Sequence, residues 1–303
     1  FLNETTKNDF VVFLISGGGS ALSVNPDSIS LKDIIDVNAV LFRSGANISE
    51  IACIRKHLSL IKGGRLIQKM NCNGISFLVS DVIGDDLGSI SSGMTYCDKS
   101  TFQDALGIIK KFSLENKLPK SALSVLKSGS NGERPETPKK PKIKNIILLN
   151  NAVCLFKMRL KSKKLGYNSF VSSKIDGNVI GVANSLSSMA IKSKDNCLIF
   201  GGEPTVHVTG NGKGGRNQEL VLRLYENLKN QKSIFTIASI GTDGIDGNTK
   251  FAGALFSTEY EYDGKTYLKN NDSSSFFKKY GGLIKTGITQ NNVNDIGVIL
   301  RHS

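Results

Sequence analysis

The chain has 303 residues, of which 39% are hydrophobic, 7% aromatic and 21% charged, and its formal net charge is +13 at pH 7. This length allows two domains with a core each, and the composition is typical of a soluble α/β protein. No run of about 18 apolar residues exists and residues 1–10 do not resemble a signal peptide, so we expect a cytoplasmic protein without a membrane span. The five cysteines form no CxxC pair, which favours reduced thiols over disulfides or a zinc cluster.

The first clear pattern is an apolar run over residues 10–16 that ends in the turn Gly17-Gly18-Gly19-Ser20. It predicts a buried parallel strand with a glycine turn at its carboxyl end, where open α/β sheets bind ligands. Helical spacing follows over residues 31–41 and 48–61. On the second of these helices, Arg55, Lys56 and His57 flank the apolar stripe, and they are either plain surface or face a cleft.

Two later strands each run directly into a loop that contains aspartate and glycine. Asp81 and Asp85 follow the strand over residues 75–80, whereas Asp243 and Asp246 follow the strand over residues 234–240. Hard cations such as Mg²⁺ prefer oxygen ligands held by loops of this kind. The alternative is that aspartate and glycine only form turns there.

A proline-rich, charged stretch over residues 127–142 divides the chain and predicts a linker. We therefore expect one α/β domain over residues 1–134. The alternation of strands and helices starts again with a strand over residues 146–149, which predicts a second α/β domain over residues 145–303. Both sheets are predicted to be mostly parallel and Rossmann-like.

Residues 198–220 carry the densest cluster of candidate functional residues. A strand ends at Gly201-Gly202 before Glu203, a second strand is predicted over residues 205–209, and a glycine-rich loop over residues 210–215 leads into a helix that begins at Arg216. Such a turn presents backbone N–H groups and a positive helix end, and Lys213 and Arg216 add cations, so the stretch predicts an anion site. A β-turn with two solvated cations is the alternative.

The basic residues are concentrated in one part of the chain. Between Glu136 and Asp176 no acidic residue occurs, but ten basic residues do, among them Lys174. A basic surface attracts polyanions such as nucleic acid. Because these cations lie in a linker and on one helix, without a recognisable nucleic-acid module, a solvated surface is the favoured interpretation and nucleic acid the less favoured partner.

Seven motifs, in this order, resemble those of the type 2 glycerate kinase family, also called the MOFRL group. They are LISGGGSAL, RSGANISEIACIRKHLSLIKGGRL, SDVIGDDLGSISSG, GGEPTVHVTGNGKGGRNQE, GTDGIDG, NNDS and NNVNDI. The resemblance implies phosphorylation of D-glycerate at its 2-hydroxyl by ATP with Mg²⁺, in a cleft between two α/β domains. The partners would be small molecules, with a homo-oligomer left open.

The resemblance also implies roles for individual residues. Arg216 would stabilise charge on the transferred phosphoryl group, and Asp243 is expected to polarise the acceptor hydroxyl. Loop position and chemistry make Asp81, Asp85 and Asp246 the candidate Mg²⁺ ligands. The candidates for binding substrate or nucleotide are Gly17, Gly18, Gly19, Ser20, Arg55, Lys56, Glu203, Lys213, Asn217, Asn292 and Asn294.

One family element does not occur in this sequence. Members of the family usually carry a GKAA motif before the first strand, and the resemblance implies that its lysine lies in the active site. The alternative to a kinase is therefore an inactive protein that retains a nucleotide- or anion-binding cleft.

Overall fold

The computed structural model describes residues 1–302 and, for Lys174, only the backbone. Ser303, the last residue of the predicted second domain, and the Lys174 side chain lie outside the described residues. The chain divides into two compact units, Phe1–Leu148 and Leu149–Ser303. Each unit combines a β-sheet with helices, so the predicted α/β class is confirmed. No helix in the described part of the chain is both long and apolar enough to cross a bilayer.

The first unit contains a three-stranded sheet in the order β1-β2-β3, in which β1 and β2 are parallel. Its strands are β1 (Phe10–Ile15), β2 (Asn73–Val79) and β3 (Lys144–Leu149). Its α-helices are α1 (Gly19–Leu22), α2 (Leu31–Arg43), α3 (Ile48–His57), α4 (Arg65–Gln68), α5 (Phe102–Lys111) and α6 (Lys120–Ser130). Single 3₁₀ turns lie at Leu2–Glu4 and Ile90–Gly93.

Local sequence explains where three of these helices begin. Ser30, Asn47 and Thr101 each accept a hydrogen bond from the backbone N–H three residues later, and the acid at that later position accepts one from the backbone N–H of the cap residue. These capping boxes fix the starts of α2, α3 and α5. The apolar faces of the three helices then pack with α6 around a buried core that includes Leu41 and Phe102.

The prediction for β1 is confirmed in its parallel pairing but wrong in its burial. Val11 is buried, whereas Phe10, Val12 and Leu14 on the opposite face are 62%, 51% and 80% exposed. Successive side chains of a strand point to opposite faces, and β1 is an edge strand of the sheet. Within the described residues only one of its two faces is therefore covered.

The predicted linker is folded onto the first unit. It begins inside α6, and the residues after this helix form contacts distant in sequence: Arg134 pairs with Asp27 at 2.7 Å and Glu136 with buried His57 at 3.2 Å. The strand expected to open the second domain is β3, which joins the sheet of the first unit. Proline and charge content did not reveal these contacts because their partners lie far away in the sequence.

The second unit contains a six-stranded sheet in the order β4-β5-β9-β6-β7-β8. Its strands are β4 (Ser169–Asn178), β5 (Cys197–Thr205), β6 (Ile234–Gly241), β7 (Gly253–Ser257), β8 (Leu283–Ile284) and β9 (Asp295–His302). Its helices are α7 (Asn151–Lys164), α8 (Val179–Lys192), α9 (Arg216–Leu228), α10 (Lys265–Lys269) and α11 (Ser273–Tyr280). Most strands share one direction, but β7 and β9 run the other way, so β4 and β5 are the only parallel neighbours in this sheet as described.

Helices cover both faces of this sheet. On β5, Cys197 and Ile199 pack with Leu155 of α7, whereas Leu198 and Phe200 belong to the larger core formed with α8, α9 and α11. The alternation follows from the two-residue period of a strand. Because both faces of β5 are buried, its sequence is continuously apolar rather than alternating.

β5 continues through the glycine pair at which its end was expected. It extends to Thr205, and the second strand predicted over residues 205–209 does not form. Gly202 has a φ of +151°, and a Cβ at this position would lie 2.1 Å from the carbonyl oxygen of Ile175 on β4. Glycine is therefore required for the strand to pass β4 and position Glu203 at its far end.

We predict that Gly202→Ala lowers the free energy of unfolding by more than about 2 kcal/mol, because the side chain adds backbone strain and a clash with main-chain atoms. Gly181→Ala on α8 is the matched control, since a Cβ there meets no atom within 4 Å. Alanine should be neutral or stabilising at that helical position by up to about 1 kcal/mol. Urea unfolding of both variants measures the effects, and equal stabilities would contradict the prediction.

Candidate active site

The guanidinium of Arg216 is held between two carboxylates at one end of the second unit's sheet. Its Nε donates to Oδ2 of Asp295 at 2.6 Å and its Nη2 to Oδ1 at 3.1 Å, while Nη1 pairs with Oε1 of Glu203 at 2.8 Å. The Asp295 side chain is 0% exposed, whereas those of Arg216 and Glu203 are 34% and 40% exposed. The guanidinium is thus fixed on its buried side and open to solvent on the other.

Strand register explains how these groups meet. Asp295 begins β9 and pairs with Gly202 of β5 on one side and with Gly241 of β6 on the other. Because both neighbours lack side chains, Arg216 at the start of α9 can reach the Asp295 carboxylate. The sheet therefore builds an ion pair at the ends of three adjacent strands.

Two further predicted residues border this ion pair. Asn294 donates from Nδ2 to Oε2 of Glu203 at 2.9 Å. A Cβ on Gly241 would lie 3.0 Å from Oδ1 of Asp243 and 3.5 Å from Oδ1 of Asp295, so both carboxylates approach the same point. The structure thus brings together Glu203, Asp243, Asn294 and Arg216, and adds Asp295, to which the sequence analysis assigned no role. We call these five residues the Arg216 cluster.

Burial and pairing act in opposite directions on Asp295. Burial raises the pKa of this carboxyl to about 6, and the hydrogen bonds from Arg216 oppose the rise, so the group is ionised at pH 7. Burial alone would lower the pKa of Arg216, but the hydrogen bonds and charges of Asp295 and Glu203 raise it overall. Because the pKa of Asp295 lies above its unfolded value of about 4, its contribution to stability falls as pH rises from about 4 to 6.

Asp246 caps a helix, and its predicted role as a metal ligand does not fit its surroundings. Its Oδ1 accepts from the backbone N–H of Asn217 at 2.9 Å and its Oδ2 from that of Gln218 at 2.8 Å, and both side-chain amides also donate to it. This buried carboxylate neutralises the N-terminus of α9 and has its acceptor sites occupied. Asn217, predicted to bind ligand, is itself buried and also accepts a hydrogen bond from Ser239 at 2.5 Å.

The glycine-rich loop over residues 210–215 is not the open anion site that its sequence suggested. Asn271 accepts from the N–H groups of Thr209 and Gly210, and Asn270 and Asp272 accept from those of the next residues. A Cβ at Gly210 would lie within 2.6 Å of Asn270, so the glycine permits close contact between two chain segments. The loop's donors bind the chain itself, and the side chain of Lys213 is exposed.

In the first unit, the predicted glycine turn lies beside a cluster of cations and hydroxyls. Ser20 Oγ accepts from Lys62 Nζ at 2.8 Å and from Arg55 Nη2 at 3.2 Å, and it lies 2.7 Å from Ser92 Oγ. Lys62 is buried and also donates to the carbonyl oxygen of Ser20. We call these four residues the Ser20 cluster. The sequence analysis missed Lys62, and a lysine directly before Gly63-Gly64 was the available signal.

The remaining predicted residues of the first unit are placed nearby or are engaged elsewhere. A Cβ on Gly17 would lie 2.3 Å from Oδ2 of Asp81, so this aspartate lies directly against the turn. Asp85 has a left-handed backbone, with φ of 58°. Lys56 does not join the Ser20 cluster but pairs with buried Asp98 at 3.2 Å. No group of three or more His, Cys, Asp or Glu side chains in the described residues could hold a metal ion.

Two further residues predicted to bind substrate or nucleotide, Gly18 and Asn292, lie in turns of different units. Gly18 has a left-handed backbone at the start of α1, with Gly19 following it. Asn292 accepts from the backbone N–H of Asn294 at 3.0 Å, so it shapes the turn before β9. It supports the Arg216 cluster through the backbone and makes no hydrogen bond to Arg216.

Comparison with known proteins gives consistent matches along the chain. Residues 1–127 match the model of a domain of unknown function, DUF4147, and residues 196–295 match that of the MOFRL family. The chain is 35% identical to glycerate 2-kinase of Pyrococcus horikoshii, over 99% of this chain and 72% of that protein. It is 37% identical to D-glycerate 2-kinase of Thermotoga maritima, over 99% of this chain and 74% of that protein.

A solved structure supports the same relationship. The crystal structure of glycerate kinase from Thermotoga maritima superimposes with a TM-score of 0.89 at 35% identity, over 99% of this chain and 75% of that one. The chain thus spans about three quarters of the length of these relatives.

We predict that Arg216→Leu raises the pKa of Asp295 above its value of about 6, by about 1 or more, because the charge that favours the carboxylate is lost. Arg223→Leu is the control, since Arg223 pairs with Glu219 on α9. The ¹³C chemical shift of the Asp295 carboxyl carbon, followed against pH, reports the change. An unchanged pKa in Arg216→Leu would show that the ion pair does not hold the carboxylate.

A second prediction separates capping from metal binding at Asp246. Asp246→Ala should lower the free energy of unfolding by roughly 2–4 kcal/mol in EDTA, because buried donors lose their acceptor. Asp263→Ala is the control, since this exposed aspartate accepts one backbone hydrogen bond, from Lys265. Urea unfolding without divalent cations measures both. A full effect that appears only with Mg²⁺ would restore the metal-ligand role.

Proposed function

This chain belongs to the glycerate kinase family, and from that premise we propose that it transfers the γ-phosphoryl group of ATP to the 2-hydroxyl of D-glycerate with Mg²⁺. The observation that carries the proposal is the Arg216 cluster, in which a partly exposed guanidinium is fixed from behind by a buried carboxylate. Phosphoryl transfer requires mainly positioning and stabilisation of charge on the transferred group.

The two carboxylates that hold Arg216 have different roles in this proposal. Asp295 is buried and binds the guanidinium in bidentate fashion, so it keeps the group in place. Glu203 is partly exposed and contacts the guanidinium of Arg216 through a single nitrogen, Nη1. A phosphoryl oxygen can therefore replace Glu203 at this nitrogen without releasing Arg216 from Asp295.

Asp243 is the proposed acceptor of the hydroxyl proton. One of its oxygens accepts from the backbone N–H of Ile245 at 3.0 Å, which orients the carboxylate and leaves the second oxygen for substrate. In the transfer, the 2-hydroxyl oxygen forms a bond to the γ-phosphorus while the bond from phosphorus to the bridging oxygen of ADP breaks. The hydroxyl proton passes to Asp243.

The proposed Mg²⁺ ion would be held mainly by phosphate oxygens and water. Magnesium sites in kinases use one or two carboxylates together with substrate phosphates, rather than a complete cage of protein ligands. Asp81, beside the glycine turn, and Asp85 remain the proposed protein ligands, whereas Asp246 is removed from the set by its capping role. When bound, the ion would neutralise charge on the phosphates.

We predict that Arg216→Ala lowers kcat by about 10²–10³, as expected for loss of one preorganised group that stabilises transition-state charge. Arg223→Ala, which removes an arginine from the same helix outside the cluster, should retain activity. The measurement is ³¹P NMR of the chain with MgATP and D-glycerate, in which a new phosphomonoester signal appears and is lost with EDTA.

The same experiment tests the rest of the proposal. The coupling pattern of the new signal distinguishes phosphorylation at the 2-hydroxyl from that at the 3-hydroxyl. Nucleotide binding without release of ADP would instead support the inactive binding protein. Equal turnover in Arg216→Ala and the wild-type chain would remove Arg216 from the mechanism.

A further inference from the structure

Helix α7 of the second unit carries apolar side chains on two sides. On the side that faces the sheet, Leu155 is buried against β5. On the other side Val153, Phe156 and Leu160 are 36%, 57% and 42% exposed. Their spacing of three and four residues places them in one row along the helix. We call these three residues the outer stripe, which remains open to solvent although the sheet already accounts for the apolar residues on the opposite side.

Cationic side chains border the outer stripe on both sides. At about 100° per residue around a helix, Arg159 and Lys163 fall on one side of it. Lys157, Lys161 and Lys164 fall on the other side. All five are exposed, α7 contains no acidic residue, and no ion pair neutralises any of the five within the described part of the chain. The helix therefore presents an apolar row between two rows of positive charge.

Charge and apolar surface together identify the kind of partner. A nucleic acid would neutralise the cations but offers little to aliphatic side chains such as Leu160. A second copy of α7 would cover the outer stripe but would set five cations against five. A membrane surface with anionic lipids satisfies both, because apolar side chains enter the boundary of the acyl chains while lysine and arginine pair with the phosphates of the headgroups.

We propose that α7 docks this protein on membranes that contain anionic phospholipids, with the helix axis parallel to the surface and the outer stripe inserted at the level of the headgroups. The helix lies on the bilayer and does not cross it, since its 14 residues extend over only about 20 Å. Leu155 keeps its contacts with the sheet in this arrangement, so docking requires no unfolding of α7. The proposal does not depend on the kinase function, because no residue of the outer stripe belongs to the Arg216 cluster or the Ser20 cluster.

The first test is co-sedimentation of the 303-residue chain with vesicles made of equal parts of phosphatidylserine and phosphatidylcholine. Vesicles of phosphatidylcholine alone are the comparison. We expect the chain to bind the anionic vesicles and to dissociate from them as the salt concentration rises, because salt screens the attraction. No binding to the anionic vesicles, or equal binding to both kinds, overturns the proposal.

Two sets of substitutions separate the apolar and the charged contributions. Phe156→Gln combined with Leu160→Gln keeps every charge and should lower the affinity for anionic vesicles by roughly 10-fold or more, because less apolar surface enters the bilayer. Lys157→Gln combined with Lys161→Gln and Lys164→Gln keeps the outer stripe and should lower this affinity by roughly 100-fold, at about fivefold for each cation. Vesicle affinity that the first set leaves unchanged overturns insertion of the stripe and leaves a surface for polyanions such as nucleic acid.

Matched controls make the same chemical changes at exposed positions outside α7. They are Ile48→Gln with Ile288→Gln for the apolar set, and Lys110→Gln with Lys117→Gln and Lys120→Gln for the cations. Both controls should bind vesicles like the wild-type chain, and an equal loss in a control would overturn the assignment to α7. Circular dichroism and urea unfolding verify that all four variants are folded.

Insertion has a direct spectroscopic signature in this chain. Because the sequence contains no Trp, Phe156→Trp introduces a single fluorophore into the outer stripe. Its emission should shift to shorter wavelength on anionic vesicles and should be quenched by lipids with brominated acyl chains. Ile288→Trp, at an exposed position outside α7, should show neither effect. An emission of Phe156→Trp that vesicles leave unchanged overturns the proposal.

The outcome is separable from that of the kinase reaction. Turnover in ³¹P NMR without vesicles should be the same in the α7 variants and the wild-type chain. Vesicle binding by a chain that does not phosphorylate D-glycerate would support docking and refute the kinase. Phosphoryl transfer by a chain that does not bind anionic vesicles would support the kinase and refute docking.

Discussion

The cost of burying the carboxylate of Asp295 constrains the second unit more than any other single interaction. An isolated ionised carboxylate is very unfavourable in an apolar interior, and this one is fully buried at the start of a central strand. It is tolerated because Arg216 binds it in bidentate fashion and glycines occupy the neighbouring positions on both adjacent strands. The start of α9, the path of β5 and the start of β9 are thus mutually dependent.

The cationic side chains of the two units have different kinds of partner. In the second unit Arg216 has its own carboxylates, so the site is complete without a ligand and Glu203 can be exchanged for an anion. In the first unit, the hydrogen-bond partners of Arg55 and Lys62 within the described part of the chain are hydroxyl and carbonyl oxygens. The ion pairs of Arg216 fix the orientation of its guanidinium, whereas the hydrogen bonds of Arg55 and Lys62 leave a positive charge for a ligand to neutralise.

Glycine-rich segments in this chain mainly allow close approach between chain segments. The loop before α9 has the sequence of an anion-binding turn, but its N–H groups are satisfied by Asn270, Asn271 and Asp272. The helix end that such a turn would offer to a phosphate is occupied by Asp246. The protein therefore supplies its own anions at this helix N-terminus, and the charge available to a ligand is that of side chains.

The sequence alone determined the α/β class, the main helices and strands, the family, and the prominence of Arg216, because these depend on short-range periodicity and on the order of motifs. Only the tertiary structure decided that Asp295 holds Arg216, that Asp246 caps α9 and that Lys62 joins Ser20. Each of these pairs joins residues more than 25 positions apart, in the closest case the 28 positions between Asp246 and Gln218. Such hydrogen bonds depend on strand order and register, which local patterns do not encode.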